Sequence, residues 1–125
     1  MGLEIEFNVE SDERKSVSLA GSLDTETAPH LQYKLDEEID SAVQFVVMDL
    51  KDLEFLSSAG IRVIFKTKKL LDAQQGKLLL VHLQPQVRKV FDIIKVHDIM
   101  DVFNNQAELD DYLMAMQNKV LDKDS

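Results

Sequence analysis

Two adjacent serines, Ser57 and Ser58, stand between an apolar run and a helical pattern, in the stretch Leu56-Ser57-Ser58-Ala59-Gly60-Ile61. A hydroxyl at such a junction can serve as a nucleophile, a helix cap or a phosphate acceptor. As a nucleophile it needs a base, and Asp24 with a histidine would complete a triad. The surrounding residues are not a Gly-x-Ser-x-Gly elbow, and no histidine is fixed nearby as a base. No catalytic residue is therefore assigned. As a cap, a serine oxygen accepts a first-turn N–H and stabilises the helix by about 1 kcal/mol. On composition and spacing this is the commoner use. As an acceptor, the same hydroxyl lies where unpaired N–H groups and the helix dipole make the chain end partly positive. A phosphate there adds roughly −1.5 to −2 charges, which can expel a protein partner while the domain stays folded.

Other chemistry is poorly provided for. Gly2, Gly21, Gly60 and Gly76 are scattered, so there is no glycine-rich phosphate loop and no nucleotide motif. His30, His82 and His97 lack the close spacing of helical metal motifs, and there is no cysteine to join them. No metal and no cofactor are expected. Asp36, Glu37 and Asp40 read as a solvated helix face. Lys and Arg number 14 against 23 Asp and Glu, a formal charge of −9 that opposes nucleic-acid backbones at long range.

The elements that must position the serines follow from periodicity. Ile5, Phe7 and Val9 alternate with Glu4, Glu6, Asn8 and Glu10, which predicts a half-exposed strand. Ser11 to Arg14 is a turn, and Val17 and Leu19 alternating with Ser16 and Ser18 close an antiparallel hairpin. Thr25-Glu26-Thr27 supplies caps and Pro29 a first turn for a helix with the stripe Ala28, Leu31, Leu35, Ile39 and Ala42. Phe45 to Met48 predicts a strand buried on both faces, with Leu50 and Leu53 in the connection after it. Ser57 to Gly60 opens a second helix whose buried side is Ile61, Ile64, Phe65 and Leu71. Gly76 is expected to stop it in the left-handed conformation.

Leu78 to Val81 is another buried strand. Pro85 starts a helix with Val87, Val90, Phe91 and Ile94 inward, Ile99 to Phe103 form a short strand, and Leu109, Leu113, Met116 and Val120 mark a last helix. Alternating strands and helices after a hairpin predict one α/β domain over 1–121 with a mixed sheet, helices mainly on one face, and a polar tail over 122–125. The amino terminus is unlike a signal peptide, and no apolar run nears the roughly 20 residues of a membrane span, so a cytoplasmic protein is expected.

The stretch from Asp49 to Val63, DLKDLEFLSSAGIRV, resembles the signature of STAS domains, the bacterial anti-sigma factor antagonists. Gly21-Ser22-Leu23-Asp24 is similar to that family's early Gly-x-Leu-Asp element, and Pro85 with Val87, Val90 and Phe91 to its later helix. The combination spans most of the chain. The resemblance implies a non-enzymatic protein that binds an anti-sigma factor with serine kinase activity and so frees a sigma factor. It further implies inactivation by phosphorylation of a serine at the helix start and resetting by a PP2C-type phosphatase. The family acceptor falls on Ser58, with Ser57 the second choice; Ser57 stands where the family has aspartate, and Ala59 replaces its second serine. The implied partner surface is Asp24, Ser57, Ser58, Ala59, Gly60, Ile61 and Arg62. An alternative also follows from the resemblance: a scaffold or regulatory subunit of a signalling or transport complex, with no phosphate cycle.

Arg62, Lys66 and Lys69 recur at helical spacing and form a basic stripe away from the apolar residues. It reads either as a docking strip for an acidic partner or as an ordinary solvated face.

Overall fold

The computed structural model describes residues 2–94, 101–103, 107–108 and 110–115. Strand β1 (Leu3–Val9) turns back into β2 (Arg14–Leu23), and the pair is antiparallel, with Ile5 opposite Leu19 and Phe7 opposite Val17. Helix α1 (Ala28–Glu38) leads to β3 (Phe45–Leu56), helix α2 (Ser58–Ala73) to β4 (Lys77–Val81), and helix α3 (Pro85–Ile94) to β5 (Asp101–Phe103). The sheet order is β1-β2-β3-β4-β5, and every pairing after the hairpin is parallel.

The period-two pattern assigns the two sheet faces. Val46, Met48 and Leu50 of β3 and Leu78 and Leu80 of β4 join Val17 and Leu19 of β2 on one face. Leu31 and Leu35 of α1, Ile64 and Leu71 of α2, and Val87 and Phe91 of α3 pack in the same cluster. Three helices therefore cover one face, as expected. Val47, Leu79 and Val81 point the other way and meet Leu113, in a helical segment over 110–115. Both central strands are thus buried on both faces. Toward β1 the second face turns polar, with Glu4, Glu6 and Asn8 exposed.

Four expectations need correction. Residues 50–56 are not a connection: β3 runs through Leu50 and Leu53 to Leu56. Its pairing with β2 slips twice, between Ser18/Ala20 and Gly21/Ser22, each time by an extra residue in β3. Such bulges bend a strand and re-aim its side chains. They leave Asp52, Glu54 and Phe55 exposed while Leu53 and Leu56 stay buried, which destroys the alternation that marks a strand.

The left-handed residue after α2 is Gln75, at φ 61°, and not Gly76. Gly76 N–H bonds back to Leu71 O at 2.7 Å and Gln75 N–H to Asp72 O at 3.0 Å, the paired closure of a Schellman motif. Gly76 is needed for space: a Cβ there would stand 2.5 Å from the Gln44 carbonyl oxygen. The buried side of α2 is centred on Gly60, Val63, Ile64, Thr67 and Leu71, with Ile61 and Phe65 only half-buried at its margins. Helix α1 ends at Glu38, so Ala42 lies exposed in the following turn and Val43 takes the buried place. His97, Ile99, Leu109, Met116, Val120 and the tail 122–125 lie outside the described residues, as does the side chain of Ile94.

Candidate functional site

Parallel strands β2 and β3 end side by side, with Leu23 opposite Leu56. Each runs directly into a turn that opens a helix. Asp24 follows β2, Ser57 follows β3, and the Ser57 N–H donates to Leu23 O at 2.9 Å, extending the ladder to the first residue of the second turn.

The Asp24 turn closes on itself. Asp24 Oδ1 accepts from the backbone N–H of Glu26 at 2.9 Å and of Thr27 at 3.0 Å, while Thr27 Oγ1 accepts from the Asp24 N–H at 2.9 Å. This is the reciprocal logic of a capping box, with threonine in place of glutamate or glutamine. The Thr27 hydroxyl donates to Ser22 O at 2.8 Å and lies 3.2 Å from Asp24 Oδ1. The Thr27 side chain thus caps nothing in α1, contrary to the expectation from Thr25-Glu26-Thr27. The Thr27 N–H is the main cause holding the Asp24 carboxyl below the ordinary carboxylate range. Partial desolvation opposes it, and the Glu26 N–H and Thr27 hydroxyl reinforce it.

The Ser57 turn is simpler. Ser57 is the N-cap of α2, with extended backbone (φ −93°, ψ 171°), and its Oγ accepts from the Gly60 N–H at 3.3 Å. Its carbonyl accepts from the Ile61 N–H at 3.0 Å. Ser58 is the first helical residue. Its side chain is exposed, and its hydroxyl makes no hydrogen bond among the described residues. Ser58 and Ala59 belong to the opening turn, whose N–H groups have no acceptor within the helix.

Gly60 determines how near this helix start can sit to the strands. A Cβ on it would stand 2.6 Å from Leu23 Cγ and 2.9 Å from Leu56 Cδ1, both on buried side chains. Glycine lets α2 begin pressed against the ends of β2 and β3. Beyond it, Ile61 is half-buried and Arg62 exposed. The sequence-predicted residues Ser57 to Arg62 are therefore continuous in one turn and a half, with Asp24 in the turn after the neighbouring strand. Phe55, 52% exposed at the second bulge, precedes them and was missed because the stretch read as a loop.

The triad geometry is absent among the described residues. Asp24 is held by Glu26 and Thr27, His30 is exposed on α1, and His82 Nδ1 lies 3.2 Å from Asp49 Oδ1 on β3. No cluster of three metal-ligating residues occurs among the described residues, and none of their helices is long and apolar enough to cross a membrane.

The STAS domain family matches residues 7–109. BtrV of Bordetella bronchiseptica, whose name assigns it provisionally as an anti-sigma factor antagonist, is 38% identical over 88 residues, 70% of this chain and 76% of that protein. The anti-sigma F factor antagonist of Paenibacillus polymyxa is 30% identical over 92 residues, 73% of this chain and 79% of its own. Among solved structures, the anti-sigma factor antagonist SpoIIAA in its unphosphorylated form superposes with a TM-score of 0.77 at 23% identity, covering 90% of this chain and 97% of that one. The phosphorylated form of the Bacillus cell fate determinant SpoIIAA superposes at 0.70 with 22% identity, covering 88% and 99%. With the family match running over residues 7–109 and relatives at 30% identity or more, this chain belongs to the STAS domain family of anti-sigma factor antagonists.

Proposed function

We propose that this protein is a non-catalytic antagonist that binds an anti-sigma factor through the α2 start and the Asp24 turn, with Ser58 as a phosphorylation switch. The observation that carries the reading is the division of labour between the two serines. Ser57 spends its oxygen on the Gly60 N–H, whereas the Ser58 hydroxyl is exposed and bonds to nothing among the described residues. A kinase can therefore modify Ser58 without dismantling the helix. The choice of Ser58 over Ser57 rests on the same contrast, since phosphate on Ser57 would displace a cap. Asp24, Ala59, Gly60, Ile61 and Arg62 complete the proposed contact surface.

The relatives named as anti-sigma factor antagonists support the kind of partner. The partner we propose is an anti-sigma factor with serine kinase activity, and a PP2C-type phosphatase resets the switch. Phosphate on Ser58 places negative charge on the contact surface near a carboxylate turn, and juxtaposed like charges across an interface can cost several kcal/mol.

The test is calorimetric binding of the cognate anti-sigma factor. Ser58→Ala is expected to bind as tightly as the parent and to resist phosphorylation, while Ser58→Asp is expected to bind at least tenfold more weakly. Equal affinity of Ser58→Asp and the parent would overturn the charge switch. A stable complex without such a kinase, with both serines unmodified in cells, would favour a scaffold instead.

A further inference from the structure

In a chain of net charge −9, Arg62, Lys66 and Lys69 are all exposed on α2 and form no ion pair among the described residues. The neighbouring Lys68, by contrast, is paired with Asp72 at 2.6 Å. At about 100° per residue, Arg62, Lys66 and Lys69 lie about 40°, 80° and 20° around the helix from Ser58. The exposed serine and the three unpaired cations therefore share one narrow arc, with Arg62 the member one turn away. The rise from Ser58 to Arg62 is about 6 Å, and helical Cα–Cβ bonds tilt toward the amino terminus, so the Ser58 turn is within reach of an Arg62 side chain.

Resting on the proposal that Ser58 carries phosphate, we infer that Arg62 reads that phosphate. Its guanidinium is open when Ser58 is free and closes onto the phosphate oxygens when Ser58 is modified. Opposite charges at i and i+4 are within reach, and the guanidinium fork matches phosphate geometry. Phosphorylation would then act twice on the contact surface. It adds anionic charge at position 58, and it removes the leading cation of a strip suited to an acidic partner. Ser57 cannot be read in the same way. It is the extended N-cap residue, five positions before Arg62, and lacks the i,i+4 helical spacing.

The test uses the full chain with phosphoserine encoded at position 58 and needs no partner. The phosphate is titrated by phosphorus NMR at low salt, in the parent and in Arg62→Gln, Arg62→Lys and Lys69→Gln. A nearby guanidinium favours the dianion. The second phosphate pKa is therefore expected to lie about 0.15 to 0.4 pH units lower in the parent than in Arg62→Gln, the size of an i,i+4 ion pair. Arg62→Lys should recover part of the difference, and 1 M salt should collapse it. Lys69→Gln, three turns away, should leave the value near the parent's. Identical values in the parent and Arg62→Gln would overturn the inference, as would an equal shift from Lys69→Gln, which would reveal only the general field of the strip. Because the phosphate is installed directly, such a failure is separable from the binding test of Ser58→Asp, which can succeed with Arg62 silent.

Discussion

The turns after β2 and β3 stand on neighbouring strands, and both lead into helices, yet they use their side chains oppositely. In the first, one carboxylate oxygen accepts two backbone N–H groups and approaches a hydroxyl, and that hydroxyl in turn accepts a backbone N–H. In the second, one serine oxygen accepts a single N–H and the next serine accepts nothing. The first turn commits its Asp24 carboxylate and Thr27 hydroxyl to the fold. The second keeps a spare hydroxyl at the place where backbone donors are also unengaged. Under the proposed switch, Ser58 is the hydroxyl at the α2 start that the fold leaves over and a kinase would use.

The contrast can be broken most severely at the residue both turns lean on. Gly60→Val should destabilise the domain by about 3 kcal/mol, the upper end of overpacking costs, because Leu23 and Leu56 already occupy the space. Urea unfolding measures it. In a Leu23→Ala background the loss should shrink, since the collision is then partly removed and neighbouring substitutions couple.

Next comes the closed turn. Asp24→Ala should destabilise more than Ser57→Ala, since it removes the acceptor of two backbone N–H groups where Ser57→Ala removes the acceptor of one. The pH dependence has a definite sign. The folded-state pKa is depressed, so the stabilisation is complete above the ordinary carboxylate range and is lost as pH falls through the lowered folded value. Asp24→Asn, which keeps an acceptor oxygen but cannot titrate, should flatten the acid limb of a stability–pH profile. An unchanged limb would show that Asp24 is not a source of the acid sensitivity.

The smallest effects separate the serines. Ser57→Ala should cost about 1 kcal/mol as a lost cap. Ser58→Ala should fall within about 0.5 kcal/mol, the usual range for a surface change that touches nothing. Equal losses at the two positions in thermal unfolding would erase the distinction on which the choice of acceptor depends.

Much of this arrangement was legible in the residues. The alternation of Ile5, Phe7 and Val9, the unbroken run Leu78 to Val81 and the stripe of Leu31 and Leu35 reflect burial directly, and burial is what periodicity reports. The serine cap at the start of α2 was legible for a different reason, because serine just before a helical stripe is itself a start signal. Other features depend on backbone detail that residue types do not encode. Two bulges turned the end of β3 into an irregular string of exposed and buried residues, which read as a loop and hid Phe55. Gln75 occupies the left-handed position because Gly76 is required one step later by the close passage of Gln44. The Asp24 box carried a usable signal, an aspartate three residues before a threonine, but the three polar residues after it read more simply as caps. How surplus the Ser58 hydroxyl is could be known only once every neighbouring donor and acceptor had been placed.

The strand order itself has a consequence for how the molecule is made. Each strand after the first pairs with the strand synthesised just before it, so none has to be inserted between two already joined. A chain emerging from a ribosome can extend its sheet at one growing margin, beginning with a hairpin whose contacts are local. The Asp24 turn and the serine turn come into register only when β3 docks on β2, so the proposed docking surface depends on that single parallel pairing.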